Sequence, residues 1–320
     1  MDDILKELKK LGLLPVVEED IGFFSSGLAL LDFLLGKGYP EGRIVELFGS
    51  EGSGKSYISL LALASVQRSG KKGVLFDIEN SYDPSWAAQV GVSKDLLVLQ
   101  ADYGEQVFEG IKTLAENGFS LIVVDSTAAL LPKSEFEGDI EDQTMGIQAR
   151  MLSKALRMIT PVLARNRCTA IFINQLRERI ERGPIMFFGD PTDSPGGRAL
   201  KFYASVRVRV EKGTAIKDEN KNRIGHQIVV KVVKNKVGIP YREARFSFYY
   251  GKGIDEKQSI LDYLLENGVI AQSGRKYVLG DQSWSSYDEM YDSVQTEDLV
   301  RFLTQYSLRT SPSNGSSQEQ

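Results

Sequence analysis

Residues 44–69 read IVELFGSEGSGKSYISLLALASVQRS. An apolar run leads into GSEGSGKS at 49–56, and a segment of helical period leads away, so a strand should deliver the chain into a glycine-rich turn that opens a helix. Glycines at 49, 52 and 54 allow backbone N–H groups to turn inward around a phosphate, and the helix start adds its positive dipole end. Gly49, Ser50, Glu51, Gly52, Ser53, Gly54, Lys55 and Ser56 are therefore the expected phosphate-binding residues. Lys55 would reach the β- and γ-phosphates, and the Ser56 hydroxyl would hold Mg²⁺. Strand before and helix after favour a nucleotide-binding α/β domain over a flexible turn.

The chain on either side continues the same rhythm. Short apolar runs (GVLFDIE, LLVLQ, SLIVVDS, TAIFIN) alternate with helix-period segments at 84–90, 104–117 and 146–165, which predicts βαβ units and a mostly parallel sheet. Beyond residue 200 the pattern becomes strand-rich (FYASVRVRV, HQIVVKVVK, REARFSFYY), with turns at GTAIKDENKNR and NKVGIP. This predicts an antiparallel extension of the sheet. Residues 1–21 form an N-terminal arm, with Ile4, Leu5, Leu8 and Leu11 at helical spacing, too short to be stable without packing on a subunit or its own domain. The expected core spans 22–254. A small C-terminal domain at 255–308 starts with a helix and a hairpin, and 309–320 is compositionally a disordered tail.

Composition narrows the chemistry. The 320 residues carry a net charge of −4, one cysteine and one histidine. Cys168 heads an apolar strand and reads as a packed thiol, while His226 falls in a polar turn before a strand. Zinc hydrolysis, disulfides and His- or Cys-based nucleophilic triads lack the residues they need. No apolar stretch approaches the roughly 20 residues of a membrane span, and MDDILKELKK lacks the order of a signal peptide. A cytoplasmic protein without a membrane partner is expected, in the host cytoplasm if the origin is viral.

The remaining site residues follow from strand ends. LIVVDS places Asp125 where a companion carboxylate would hold Mg²⁺. GVLFDIE ends in Glu79, which would overlook the γ-phosphate as a water-activating base if its strand lies beside the phosphate-loop strand. Asp77, two residues earlier on the same face, is its rival. TAIFINQ brings Asn174 and Gln175 to the same edge, where an amide can sense a γ-phosphate. Residues 177–209 hold Arg177, Arg179, Arg182, Arg198, Lys201, Arg207 and Arg209 against four acids, with apolar residues and Gly196 and Gly197 between them. This suits either a solvated loop or contact with a nucleic-acid backbone.

In this order and spacing, SSGLALLD, GRIVELFGSEGSGKS, LFDIENSYDP, LIVVDSTAALLPKSEFEGDI, MGIQARMLSKALR, FINQLR, GGRALKFYASVRV and VKVVKNKVGIP resemble the RecA recombinases over roughly residues 22–280. The resemblance implies a RecA-type P-loop NTPase core, its mostly parallel sheet extended by antiparallel strands, with a short N-terminal helical arm and a small α/β C-terminal domain. It implies ATP and Mg²⁺ as cofactors, a homo-oligomeric helical filament on single-stranded DNA, and pairing with homologous duplex DNA. Single-strand-binding and mediator proteins join the implied partners. Glu79 matches the family's water-activating glutamate and Gln175 its γ-phosphate sensor. Asp83, Trp86 and Tyr250 match nucleotide-side positions. Lys234 and Lys236 match cations that reach the γ-phosphate from the adjacent subunit, and Lys201 and Phe202 match an interface position. For DNA contact the matching positions are Met145, Gly146, Arg150 and Arg157 around a first loop, and Arg177, Arg179, Gly196 and Gly197 at a second. The stretch from Arg179 to Gly189 is longer than in bacterial members, which leaves Ile180 and Phe188 without a clear match as inserted side chains and places the chain among divergent or phage-type relatives. The rival functions are a hexameric helicase on the same core and a recombinase paralogue with little turnover.

Overall fold

The computed structural model describes residues 20–138, 146–178, 192–193 and 198–310, with positions 4, 6, 7 and 10. Almost all of the expected arm and the tail from 311 onward lie outside the described residues. A ribbon of β1 (Phe23–Phe24) and β2 (Tyr39–Pro40) brackets helix α1 (Ala29–Leu35). Then come β3 (Ile44–Gly49), α2 (Lys55–Arg68), β4 (Lys72–Asp77), α3 (Pro84–Val90), β5 (Leu97–Leu99), α4 (Gly104–Glu116) and β6 (Phe119–Asp125). A short α5 (Lys133–Phe136), α6 (Ile147–Arg165), β7 (Thr169–Gln175), a ribbon of β8 (Arg177–Glu178) with β9 (Thr192–Asp193), and α7 (Arg198–Tyr203) follow.

The strand-rich part supplies β10 (Val206–Lys217), β11 (Arg223–Asn235), β12 (Glu243–Tyr249) and β13 (Gly253–Asp255). Nine strands form one sheet in the order β13-β12-β11-β10-β3-β7-β6-β4-β5. The six from β10 to β5 run parallel, and β11, β12 and β13 extend them antiparallel. This is the α/β architecture read from the sequence. The parallel strands are apolar on both faces because helices cover both. Val45, Leu121, Val123, Ile171 and Ile173 enter one buried cluster, and their alternating neighbours Ile44, Ile122, Val124, Ala170 and Phe172 enter the other.

Helix α8 (Glu256–Glu266) follows, then a three-stranded sheet of β14 (Ala271–Ser273), β15 (Lys276–Leu279) and β16 (Gln282–Trp284), and helices α9 (Tyr287–Ser293) and α10 (Thr296–Thr310). Their Ile260, Leu261, Leu264, Met290, Leu299 and Leu303 share a buried cluster with Leu30, Leu31 and Leu34 of α1. Among the described residues no helix is long and apolar enough to cross a membrane.

Several local expectations change. Strand β4 ends at Asp77, leaving Glu79 in the following loop, and β7 and β6 separate β4 from β3. Phe202 and Tyr203 close a helix rather than open a strand, and β10 runs on through Gly213 to Lys217 because β11 pairs with it that far. His226 is not in a turn: it lies inside β11, opposite Phe248 and Ala215, and is buried. The hairpin expected after α8 has a third strand.

Candidate nucleotide site

The phosphate loop leaves the carboxyl end of β3 and closes into α2. A Cβ on Gly49 would sit 1.8 Å from the Val210 carbonyl oxygen of β10, so only glycine lets the loop depart there. Gly54 caps α2 at φ 100°, a left-handed conformation that favours glycine, with the Ile228 side chain 2.7 Å from any added Cβ. The Lys55 ammonium, 6% exposed, donates to the carbonyls of Gly49 at 3.1 Å and Ser50 at 2.6 Å. Burial pushes its pKa down, opposed by Asp125, Glu79 and Glu51. A cation held against carbonyl dipoles beside a helix start is poised to exchange them for phosphate oxygens.

Below it, the Ser56 hydroxyl donates to Asp125 Oδ2 at 2.6 Å. Burial raises the Asp125 carboxyl to about 6, against the Ser56 bond that favours its charged form. One hydroxyl and one carboxylate suit a magnesium ion that takes its other ligands from water and phosphates. Among the described residues no three His, Cys, Asp or Glu side chains converge as a protein-only cage.

Glu79 reaches the cleft although its strand is remote. Ile78 and Glu79 both donate backbone N–H groups to the Asp125 carbonyl, at 2.8 and 3.3 Å, which carries the loop over the end of β6. There the Glu79 carboxylate accepts from the Ser126 hydroxyl and from Gln175 Nε2, the latter at 2.9 Å. Asp77 is spent differently: it accepts from the Ser81 and Tyr82 backbone at 3.0 and 3.1 Å and shapes the loop. Asn174 is wholly buried and donates to Glu46 at 3.0 Å, so of the two amides only Gln175 faces the cleft. Sequence reasoning missed Ser126, although the serine directly after Asp125 was its signal.

The cleft encloses about 300 Å³, the low end of small-ligand sites, so one chain supplies an open-sided cradle. Its outer wall is aromatic. Trp86, Tyr57 and Phe248 line it together with His226, and of these only Trp86 was foreseen. Alternation could have found His226, which shares parity with the buried Ile228, Val230 and Val232. Asp83 lies outside the lining and caps α3 by accepting from Ser85 N at 2.8 Å. Tyr250 is 48% exposed and touches the wall through His226 and Phe248, with ring centroids 5.8 and 6.3 Å away.

Lys234 and Lys236 do not join this cleft. They leave the sheet at the amino-terminal end of the parallel strands, where Asn235 pairs with Val206 and Lys236 N donates to Ser205 O at 2.9 Å. Lys234 Nζ donates to the carbonyls of Lys201 at 2.7 Å and Phe202 at 3.2 Å. Its pKa is lowered by burial first and then by Lys236 and Arg207. Phe202 beside it is 74% exposed, so it is not a core residue.

Of the positions assigned to DNA, Met145, Arg179, Gly196 and Gly197 lie outside the described residues, as do Ile180 and Phe188. Gly146 caps α6, and Arg150 and Arg157 project from its exposed face, flanking Lys154 in a shallow depression with Tyr203. Arg177 takes its backbone place in the β8–β9 ribbon, two residues after Gln175. Arg207 and Arg209 leave the basic segment: Arg207 bonds the wholly buried Glu46 at 2.5 Å, and Arg209 pairs with Glu211 at 2.6 Å. Cys168 is buried, and burial pushes its thiol up to about 12, which leaves it unreactive.

Comparison with known proteins gives one result. A family model described as the RecA N-terminal domain matches residues 3–255. The chain is 47% identical over 264 residues to Protein RecA of Tropheryma whipplei (strain Twist), a match covering 82% of this chain and 59% of that protein, less than two thirds of its length. It is 42% identical over 268 residues to Protein RecA of Halalkalibacterium halodurans, covering 83% of this chain and 75% of that one. It is 43% identical over 299 residues to Protein RecA of Wolinella succinogenes, covering 92% and 81%.

Proposed function

The chain belongs to the RecA family, and on that premise we propose that it is an ATP-hydrolysing recombinase that assembles head to tail on single-stranded DNA and exchanges strands with homologous duplex. One observation carries the reading. Glu79 and Gln175 are hydrogen-bonded across the mouth of a phosphate loop, and the chain passes from Gln175 directly into the ribbon that carries Arg177. A γ-phosphate in the cradle would compete for the Gln175 amide and free Glu79 to take a proton from water. The released or captured amide would shift the start of β8, and with it the second DNA loop.

Magnesium-bound ATP supplies the transferable phosphoryl group, whose charge Lys55 meets from within the chain. Lys234 and Lys236 cannot do so in cis and fit the role of cations from the next copy, as an arginine finger acts. The first DNA loop is tied to the same site: Gln148, the second residue of α6, donates to the carbonyls of Thr127 at 3.3 Å and Leu130 at 2.8 Å, just past Asp125. Phosphate contacts from Arg150 and Arg157 would be sequence-tolerant, leaving recognition to base pairing.

ATP turnover with and without single-stranded DNA, and pairing of that strand with homologous duplex, test the reading. DNA-stimulated hydrolysis and strand exchange are expected. A protein that binds no single-stranded DNA in ATP, or that displaces strands without homology, would overturn it.

A further inference from the structure

His226, the one histidine of the chain, is 6% exposed and lines the nucleotide cleft. Neither Nδ1 nor Nε2 has a hydrogen-bond partner among the described residues. Burying an imidazole with both nitrogens unpaired costs stability, so a structure that keeps it there calls for an explanation. The ring belongs to a continuous aromatic wall. Trp86 and Tyr57 have ring centroids 5.8 Å apart, Tyr57 and Phe248 5.1 Å, Phe248 and His226 5.3 Å, and His226 and Tyr250 5.8 Å. A wall of this kind beside a phosphate loop suits the face of a nucleobase. Phe248 has no polar atom, and the Tyr57 hydroxyl already accepts the Ile254 N–H at 3.1 Å. Among the buried polar atoms of this wall, the two nitrogens of His226 are the ones without a partner in the described residues.

We propose that His226 reads the nucleobase: a ring nitrogen hydrogen-bonds the polar edge of the purine while the neighbouring rings take its face, which makes His226 a specificity-determining residue of the nucleotide site. The proposal rests on the reading that the cleft binds a nucleoside triphosphate. Burial, reinforced by Lys212 and Arg223, holds the imidazole pKa down, so at neutral pH the ring offers one donor and one acceptor.

The test compares wild type, H226F, H226Q and K55A, with direct binding of ATP, inosine triphosphate and 2′-deoxy-ATP, and thermal unfolding without nucleotide. Phenylalanine keeps the aromatic packing and removes the unpaired nitrogens, so H226F should unfold no earlier than wild type. It should bind ATP about 10-fold more weakly, the loss of roughly one hydrogen bond to a buried group. The preference for ATP over inosine triphosphate should narrow in H226F, and H226Q should restore most of the affinity. Wild-type affinity in H226F, or a loss that follows the 2′-hydroxyl rather than the base, would overturn the proposal. If wild type itself shows no ATP binding that K55A abolishes, the nucleotide reading of the cleft fails instead.

Discussion

Asp125 is held between two demands. Its carboxyl is raised from an ordinary 3.8 to about 6 because it is 7% exposed, yet the proposed magnesium contact requires the charged form. The sign follows from linkage. A carboxyl whose folded pKa exceeds its unfolded value favours the native state fully below about 3.8, and that contribution is lost as pH rises through about 6. D125N keeps an oxygen acceptor for Ser56 and removes the buried charge. In EDTA without nucleotide it should match wild type near pH 4 and exceed it at pH 8 by on the order of 2 kcal/mol, measured by urea unfolding. The same variant should lose the thermal stabilisation that magnesium-ATP gives wild type. E79Q makes the complementary case. Its side-chain oxygen can still accept from Gln175 and Ser126, so ATP binding should persist while DNA-stimulated turnover falls about 100- to 10,000-fold. Lys55, Ser56 and Asp125 were legible because a phosphate loop is a local pattern. Glu79 was legible by chemistry but not by placement, since its position depends on an order of strands that no single segment encodes. His226 was misplaced because the polar residues around it outweighed its parity with the buried valines.

Between the elements, the central joint is Glu46 of β3, wholly buried and gripped from both neighbouring strands. Arg207 of β10 donates to it at 2.5 Å and Asn174 of β7 at 3.0 Å. The Arg207 guanidinium also lies 4.3 Å from the centroid of the Phe48 ring. Removing one partner of such a pair strands a charge in the core, whereas removing both as matched apolar residues costs far less. R207M should therefore destabilise the protein by about 3–5 kcal/mol in urea unfolding, and the double variant E46L/R207M should recover most of that loss. If R207M instead weakens DNA binding with unchanged stability, Arg207 belongs to the basic surface after all. The helices and parallel strands were readable because period and breaker residues are local. This joint was not, since Glu46 and Arg207 are 161 positions apart in sequence, and a basic residue between valines looks equally like a solvated edge. The helix at Arg198–Tyr203 was hidden for a related reason, because FYASVRVRV holds no glycine or proline to mark a break, and only Ala204 and Ser205 separate its two conformations.

At the scale of the whole molecule, the two halves of the proposed catalytic site sit at opposite ends of the parallel strands. The phosphate loop follows the carboxyl end of β3, while Lys234 and Lys236 flank the amino-terminal end of β10 with the exposed Phe202. Copies that pair these unlike faces form a heterologous contact, which propagates as a helix unless the rotation closes into a ring. F202E should leave unfolding and single-chain ATP binding unchanged and abolish both filaments and DNA-stimulated turnover, read by electron microscopy and ATPase assay. Mixing two inactive variants tests the division of labour directly. K55A lacks a working loop but keeps its lysines, and K234A keeps its loop but lacks a lysine. In a random equimolar filament about a quarter of the junctions would join the intact loop of one to the intact lysines of the other. The mixture should therefore regain about a quarter of wild-type turnover, although each variant alone has almost none. A site completed within one chain predicts no recovery at any ratio, and that result would remove Lys234 from the site.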